Sequence, residues 1–436
     1  MEGKLIEEAL AEQKEEFALK LKTDFCKRRE ESLVDLNSSL AQVVIGVRRS
    51  GKSTMCTNIL KSGGILFGYV NFDDERLSNL KAEDLNLVLE TLYKIYGDFN
   101  HLFIDEIQNI SEWYLFVNRL IRQGMHILIT GSNAKLLSGE LATHLTGRHM
   151  QTELFPFSFA EYCACKKINT NSTTTKDRAF LRATFDDYLK DGGFPELLTE
   201  KRKQTYINSL VRNILKNDIE KRYSIKYKAA FEQLADHLLN NVPCAINYAE
   251  LQNTFKLKSA HTAENYVQYL KNAYLIQGLH KYSNKSKIRV RAEKAYPVDV
   301  ALMNNRENAF AGENLGWRLE SIVYIELLRR YKPLEYDVYY YDENRSECDF
   351  ILCKGKSVEC LIQVSYDIAN SKTLRRELNG LENASKATGC KKLLLLTYAD
   401  EQQIEQNGLQ IEVLPVWKYM LPVVGEERRF LVLFVC

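Results

Sequence analysis

Residues Gly46-Val47-Arg48-Arg49-Ser50-Gly51-Lys52-Ser53 carry the spacing of a phosphate-binding loop, G-x-x-x-x-G-K-S. Glycines at both ends of such a loop let the backbone curl until successive N–H groups point at one anion. An apolar run, Gln42–Gly46, precedes the loop and a helical segment, Ser53–Lys61, comes after it, so the positive end of a helix faces the same anion. In this pattern Lys52 reaches the terminal phosphates of a nucleotide and the Ser53 hydroxyl is a Mg²⁺ ligand. The expected nucleotide-contacting residues are Gly46, Arg48, Arg49, Ser50, Gly51, Lys52, Ser53 and Thr54. The bland alternative is a chance glycine turn, and the flanking strand and helix count against it.

The second half of such a site is Leu102-Phe103-Ile104-Asp105-Glu106, an apolar strand that ends in two carboxylates about 55 residues after the loop. Asp105 is expected to hold Mg²⁺ through water, and Glu106 to polarise the attacking water. Thr130-Gly131-Ser132-Asn133 closes the next strand, where Asn133 or Ser132 can position water. The same residues suit the N-cap of a helix over Ala134–Leu137, and both readings stand. Arg148, in Leu145-Thr146-Gly147-Arg148, has the position of an arginine finger offered to a neighbouring subunit, or of an ordinary surface ion-pair partner. No NKxD-type guanine-reading motif is present, so adenine is the expected base and ATP with Mg²⁺ the expected ligand.

Elements to position these residues are legible in the apolar pattern. Strands are expected at Gln42–Gly46, Ile65–Phe72, His101–Asp105, Met125–Thr130 and Met150–Leu154, with helices between them such as Leu85–Tyr96. Alternating strands and helices predict a parallel, doubly wound α/β sheet. Before it, Met1 to about Leu33 reads as an amphipathic helix with Leu5, Ala9, Phe17 and Leu21 as core contacts. Phe155-Pro156-Phe157-Ser158-Phe159 is expected to anchor this core to the next domain. Beyond it, helical pattern runs from Asp177 to His237, broken at Asp191-Gly192-Gly193-Phe194-Pro195. Two short helices, Asn247–Phe255 and Ala260–Lys271, then lead into a stretch holding Lys281, Lys285, Lys287, Arg289, Arg291 and Lys294 against one acid, Glu293. Helix, turn, helix and basic hairpin is the layout of a winged helix, whose wing can neutralise DNA phosphates. An interdomain helical module with a solvated charged strand is the alternative.

The whole chain excludes some function classes. It has 436 residues, 59 basic and 57 acidic, for a net charge of +2, so any nucleic-acid surface must be a local patch. Its apolar runs fall far short of the roughly 20 residues of a membrane helix, and its first residues lack a signal-peptide core. Ten cysteines form no C-x-x-C pair, which argues against structural zinc and for reduced thiols in a cytoplasmic protein.

The segments VVIGVRRSGKST, HLFIDEIQNISEW, ILITGSNAKLLS, LTGRH and LFPFSFAEY occur in that order. Together they resemble the AAA+-type P-loop ATPases of prokaryotes that carry a winged-helix region and a C-terminal domain similar to the PD-(D/E)xK nuclease fold. The likeness covers most of residues 35–225, including DGGFPE at 191–196. It implies ATP-dependent switching. In the last domain it implies a carboxylate set: Glu320 on the helix LGWRLESIVYIELLRR, Asp349 opening the strand CDFIL, and Gln363 near the end of CLIQV. In that fold such residues hold Mg²⁺ beside a lysine two positions after the Glu/Gln, but here that position is Ser365. The cation has lost a negative ligand and the ammonium is gone. A weak or inactive nuclease is therefore expected.

The resulting expectation is an α/β chain with an N-terminal helix (1–34), a P-loop parallel-sheet ATPase core (35–160), a helical lid (161–235), a winged-helix-like middle (236–295) and a C-terminal α/β nuclease-like domain (296–436). Its expected partners are ATP, DNA through the winged helix, and further copies of itself, with no membrane. A non-hydrolysing DNA-linked regulator and an active ATP-dependent nuclease are the alternatives.

Overall fold

The computed structural model describes residues 2–132, 145, 147–171, 174–283, 285, 292–304, 314–343 and 346–422. The chain divides into two compact units, residues 1–154 with 272–274, and the remainder from 155 onward.

The first unit is built on β1 (Ala41–Ile45), β2 (Phe67–Asn71), β3 (His101–Asp105), β4 (His126–Gly131) and β5 (His149–Glu153). They form one parallel sheet in the order β2-β3-β4-β1-β5. Every residue of β1 is buried, as a strand covered on both faces requires. Helices α2 (Lys52–Gly63), α3 (Leu85–Tyr96) and α4 (Trp113–Arg122) connect the strands. Because Ile45 lies opposite Gly131 and Asn71 opposite Asp105, the carboxyl ends of these strands come to one edge, where open α/β sheets bind ligands.

The N-terminal helix, α1 (Glu2–Lys22), packs Ala9, Leu10 and Phe17 into this core. Phe17 lies 4.2 Å from the Tyr69 ring and 6.0 Å from the Phe103 ring. Leu5 is not part of that stripe. It is 43% exposed, outside the buried face.

In the second unit, Ser158 caps α5 (Phe159–Cys165) and forms a capping box with Glu161. Phe157 packs within this unit. Its N–H donates to Gly193 O at 2.7 Å and its carbonyl accepts from the Tyr188 hydroxyl at 2.9 Å. A Cβ on Gly193 would stand 2.2 Å from that carbonyl oxygen, which explains the glycine in DGGFPE. Helices α6 (Thr175–Asp191) and α7 (Lys203–Asn213) come next, the latter continuing into a π-helical turn, Ile214–Glu220.

Then come α8 (Lys228–Asn241), β6 (Cys244–Ala245), α9 (Tyr248–Thr254), α10 (Ala260–Asn272), β7 (Ile276–Lys281) and β8 (Glu293–Pro297). Strand β8 pairs antiparallel with both β6 and β7. Tyr266 and Leu270 are buried on α10, while Tyr274 falls after the helix has ended.

Helix α11 (Leu315–Tyr331) leads to β9 (Tyr336–Glu343), β10 (Ser346–Lys354) and β11 (Ser357–Ser365). Helix α12 (Ser371–Thr388) precedes β12 (Leu393–Thr397), β13 (Gln402–Gln406) and β14 (Leu409–Pro415). These nine strands, β6 to β14, join in one sheet, in the order β13-β14-β12-β11-β10-β9-β7-β8-β6. The hairpin of the middle region thus continues the C-terminal sheet through β7 and β9. Its core holds Cys348, Ile351, Leu361, Leu381, Leu395 and Val413.

Cys56, Cys163, Cys244, Cys348, Cys353, Cys360 and Cys390 are free thiols. Among the described residues, no helix is long and apolar enough to cross a membrane.

Candidate nucleotide site

The loop between β1 and α2 starts at Gly46, with φ of 145°, where a Cβ would stand 2.1 Å from Leu154 O. It ends at Gly51, which caps α2 in the left-handed region at φ 95°. No other residue type meets both conditions without strain. Ser50 and Lys52 are buried, and Arg49 is exposed. Lys52 Nζ donates to Gly46 O and Val47 O, each at 3.1 Å, so the ammonium is folded over the loop it would serve. Arg48 pairs with Asp73 at 3.2 Å. Thr54 lies half-buried in the first turn of α2. A residue that the motif does not predict supports the loop from outside: buried Arg28 donates through Nη1 to Ser50 O at 2.8 Å.

Ser53 Oγ donates to Asp105 Oδ1 at 2.9 Å. Thr130, on the neighbouring strand, donates to the same carboxylate oxygen, and its hydroxyl accepts the Glu106 N–H at 3.3 Å. Burial pushes the Asp105 carboxyl up to about 6. The charge of Glu106 adds to that rise, while the Thr130 and Ser53 hydrogen bonds and the Lys52 charge oppose it. Glu106 stands in the left-handed region at φ 53°, a conformation that turns its side chain off the line of β3. Its Oε2 accepts from Ser132 Oγ at 3.1 Å and from Ser132 N–H at 3.3 Å. Gln108 also donates to it. Thr130 and Ser132 therefore hold one carboxylate each. Asn133 and the segment Ala134–Leu137 lie outside the described residues.

Arg148 is exposed, and its Nη1 donates to Asn118 Oδ1 at 3.4 Å. His149 pairs with Ala41, so Arg148 stands beside the start of β1, whereas the glycine loop lies past its end. A strand of this length separates the two by roughly 13–17 Å. Arg148 therefore does not reach the loop of its own chain.

This first-unit site fits a nucleotide with Mg²⁺. Ser53 and Asp105 offer only oxygen ligands, which suits a hard cation. The loop amides, the α2 N-terminus and Lys52 offer positive charge to phosphates.

In the last domain, Glu320, Asp349 and Gln363 line one cleft. Asp349 is buried, and its Oδ2 accepts from Val364 N–H at 2.7 Å. Glu320 accepts from the Tyr296 hydroxyl at 2.5 Å. Gln363 is committed at both ends: its oxygen accepts from Asp349 N–H at 3.2 Å and its amide donates to Glu377 at 2.6 Å. Lys294 does not belong to a solvated basic strand. It turns inward and pairs with Glu347. Glu293 is likewise withdrawn, bonded to Lys271 at 2.5 Å. Of the remaining basic residues, Lys285 is exposed, and Lys287, Arg289 and Arg291 lie outside the described residues. Among the described residues, no group of three His, Cys, Asp or Glu side chains is placed to hold a metal ion.

Comparison with known proteins gives this geometry its setting. Residues 38–163 match an AAA domain model, residues 182–312 the domain of unknown function DUF8612, and residues 315–419 the domain of unknown function DUF4143. The chain is 34% identical over 395 residues to the uncharacterized protein MJ1544 of Methanocaldococcus jannaschii, covering 87% of this chain and 88% of that protein. It is 29% identical over 395 residues to an uncharacterized protein of Haemophilus influenzae, covering 87% of this chain and 94% of that protein. Among solved structures it is similar to a Walker-type ATPase of Pyrococcus abyssi, at 15% identity and a TM-score of 0.38, over 64% of this chain and 95% of that one. That likeness is too distant to argue from. With its AAA domain followed by two domains of unknown function, the chain belongs to the family of the archaeal protein MJ1544.

Proposed function

We propose that this protein is an ATP-binding and ATP-hydrolysing AAA-type switch, whose nucleotide state governs a DNA-contacting middle region and a nuclease-like C-terminal module. The observation that carries the reading is the hydrogen bond from Ser53 to Asp105, which joins the glycine loop to the carboxylate strand at one sheet edge. The loop amides and Lys52 would bind the phosphates, and Ser53 and Asp105 would hold Mg²⁺. Mg²⁺ bound there supplies charge neutralisation at the terminal phosphates. Lys52 must leave its two carbonyl partners to serve them. Glu106 is the base that accepts a proton from water, and Ser132 orients it. Arg148, remote from the loop in its own subunit, is assigned to a neighbouring copy in a homo-oligomer.

The middle region supports the DNA part of the reading. Its element order is helix, short strand, two helices and hairpin, with β8 between β7 and β6, and that order supports the winged-helix reading. The last domain is read as a nuclease-like fold retained for binding, because neither Gln363 nor Ser365 supplies the charge that cutting needs. The test is to mix the purified protein with ATP, Mg²⁺ or Mn²⁺ and a panel of DNAs, and to measure phosphate release and DNA length together. Phosphate release with DNA bound and uncut is the expected result. ATP held without turnover would make the protein a regulator that binds ATP structurally.

A further inference from the structure

The segment that follows α1, residues 23–34, is tied along α2. Lys61 pairs with Asp24 at 2.8 Å and donates to Thr23 O at 3.3 Å. One turn earlier on α2, Asn58 donates to Glu31 Oε1 at 3.4 Å, and the same carboxylate oxygen accepts from Arg28 N–H at 2.8 Å. Val34 packs against the core that holds Met55 and Leu60. The segment is thus fixed to the helix that opens at the glycine loop, and Arg28 is fixed with it.

Arg28 is only 3% exposed. A buried charge needs hydrogen-bond partners, and Nη1 meets Ser50 O at 2.8 Å. That carbonyl belongs to the peptide group that joins Ser50 to Gly51. In a planar trans peptide the C=O and the N–H point in opposite directions. With Ser50 O turned toward Arg28, the Gly51 N–H is turned away from it. This N–H meets no acceptor among the described residues. Gly51, at φ 95°, has the left-handed freedom that lets the loop curl. The same freedom lets the 50–51 peptide plane turn over at little cost. A reversed plane would present a carbonyl oxygen where the loop offers an amide. The bond from the guanidinium is charge-assisted, stronger than one between neutral groups, and it opposes that reversal.

We propose that Arg28 is a positioning residue for nucleotide binding: by holding Ser50 O on the outer side of the loop, it aims the Gly51 N–H at the α- and β-phosphates. This rests on the ATP-binding reading above. Loop amides of this pattern cradle the α- and β-phosphates, whereas the lysine reaches the β- and γ-phosphates. Arg28 therefore serves ATP and ADP alike, and it takes no part in moving the proton.

The test uses the full chain. ATP and ADP affinities are measured by isothermal titration calorimetry for wild type, Arg28→Met and Arg28→Gln, the last polar but too short to reach Ser50 O. Phosphate release with Mg²⁺ is followed on the same samples. Each variant is expected to bind ATP and ADP about tenfold more weakly, by the same factor for both, with KM raised to match and kcat retained. Affinities alone decide the matter if ATP is held without turnover. A loss larger for ATP than for ADP would make Arg28 a charge acting on the terminal phosphate and would overturn the proposal. So would a kcat that falls together with affinity. Loss of the fold in both variants, seen by circular dichroism, would overturn it in favour of a structural role. Wild type that binds neither ATP nor ADP would overturn the ATP reading and this proposal with it. Nucleotide bound equally well by wild type and a folded variant would overturn this proposal and leave that reading standing.

Discussion

Ser53 and Asp105, 52 residues apart in the chain, are joined by a 2.9 Å hydrogen bond at the carboxyl edge of the parallel sheet. Under the proposed function, the bond aligns the two oxygen atoms that would hold Mg²⁺ before any nucleotide arrives. It is also the point at which the glycine loop and the apolar strand become one device.

In the proposed site, Lys52 is the side-chain cation that would meet the phosphates. Lys52→Ala is expected to weaken ATP binding at least tenfold, in line with about 1.5–3 kcal/mol for a hydrogen bond to a charged group. Equilibrium titration with a fluorescent ATP analogue reads this. Unchanged affinity in a folded variant would move the phosphate site elsewhere.

The site was legible where its chemistry is local. The glycine loop, the strand ending in Asp105-Glu106 and the sheet that positions them arise from short-range pattern, and His101–Asp105 has the bounds the pattern predicts. Contacts across strands were not legible. Thr130 meets Asp105 only because β4 lies beside β3, and Arg28 meets Ser50 through a chain segment with no motif. The basic run misled for the same reason. Sequence shows Lys294 among other cations, but Glu347, 53 residues later, pairs with it. Glu293 looks like a lone acid on a wing, yet Gly278 leaves the space for it to reach Lys271. A Cβ there would stand 1.8 Å from the Glu293 carboxylate.

Asp299 ties the DGGFPE turn to the start of the next segment, accepting from Gly193 N–H and Ala301 N–H at 2.9 Å each. Burial pushes its carboxyl up to about 6, above an unfolded value of about 3.9. The folded state then binds the proton more tightly, so ionising Asp299 costs stability, a loss that grows as pH rises from about 4 to 6. Asp299→Asn is expected to lose this slope. Its urea midpoint should improve relative to wild type as pH rises through that window, and a constant difference would contradict the assignment.

Changing Lys285, Lys287, Arg289 and Arg291 to Ala is expected to weaken DNA binding and flatten its salt dependence by roughly one unit of slope per lost contact. Binding across a salt series, by fluorescence anisotropy, measures it. No binding by wild type at low salt would leave the region as a helical connector.

The C-terminal cleft is expected to cut DNA feebly or not at all. Loss of one positioned electrostatic group costs about 10²–10³ in rate, and here Gln363 and Ser365 remove two. Wild type and Asp349→Ala incubated with DNA in Mg²⁺ or Mn²⁺ should leave it equally intact. Cleavage by wild type that vanishes in Asp349→Ala would show an active nuclease.

The central claim, that Glu106 turns ATP bound by this loop into a hydrolysed product, is tested by one paired measurement. Wild type and Glu106→Gln are compared for ATP affinity and for phosphate release with Mg²⁺. The amide cannot take a proton from water, so affinity should be retained while turnover falls on the order of 10²–10⁴-fold. Equal turnover in both proteins, or none above the spontaneous rate in wild type, would contradict the account.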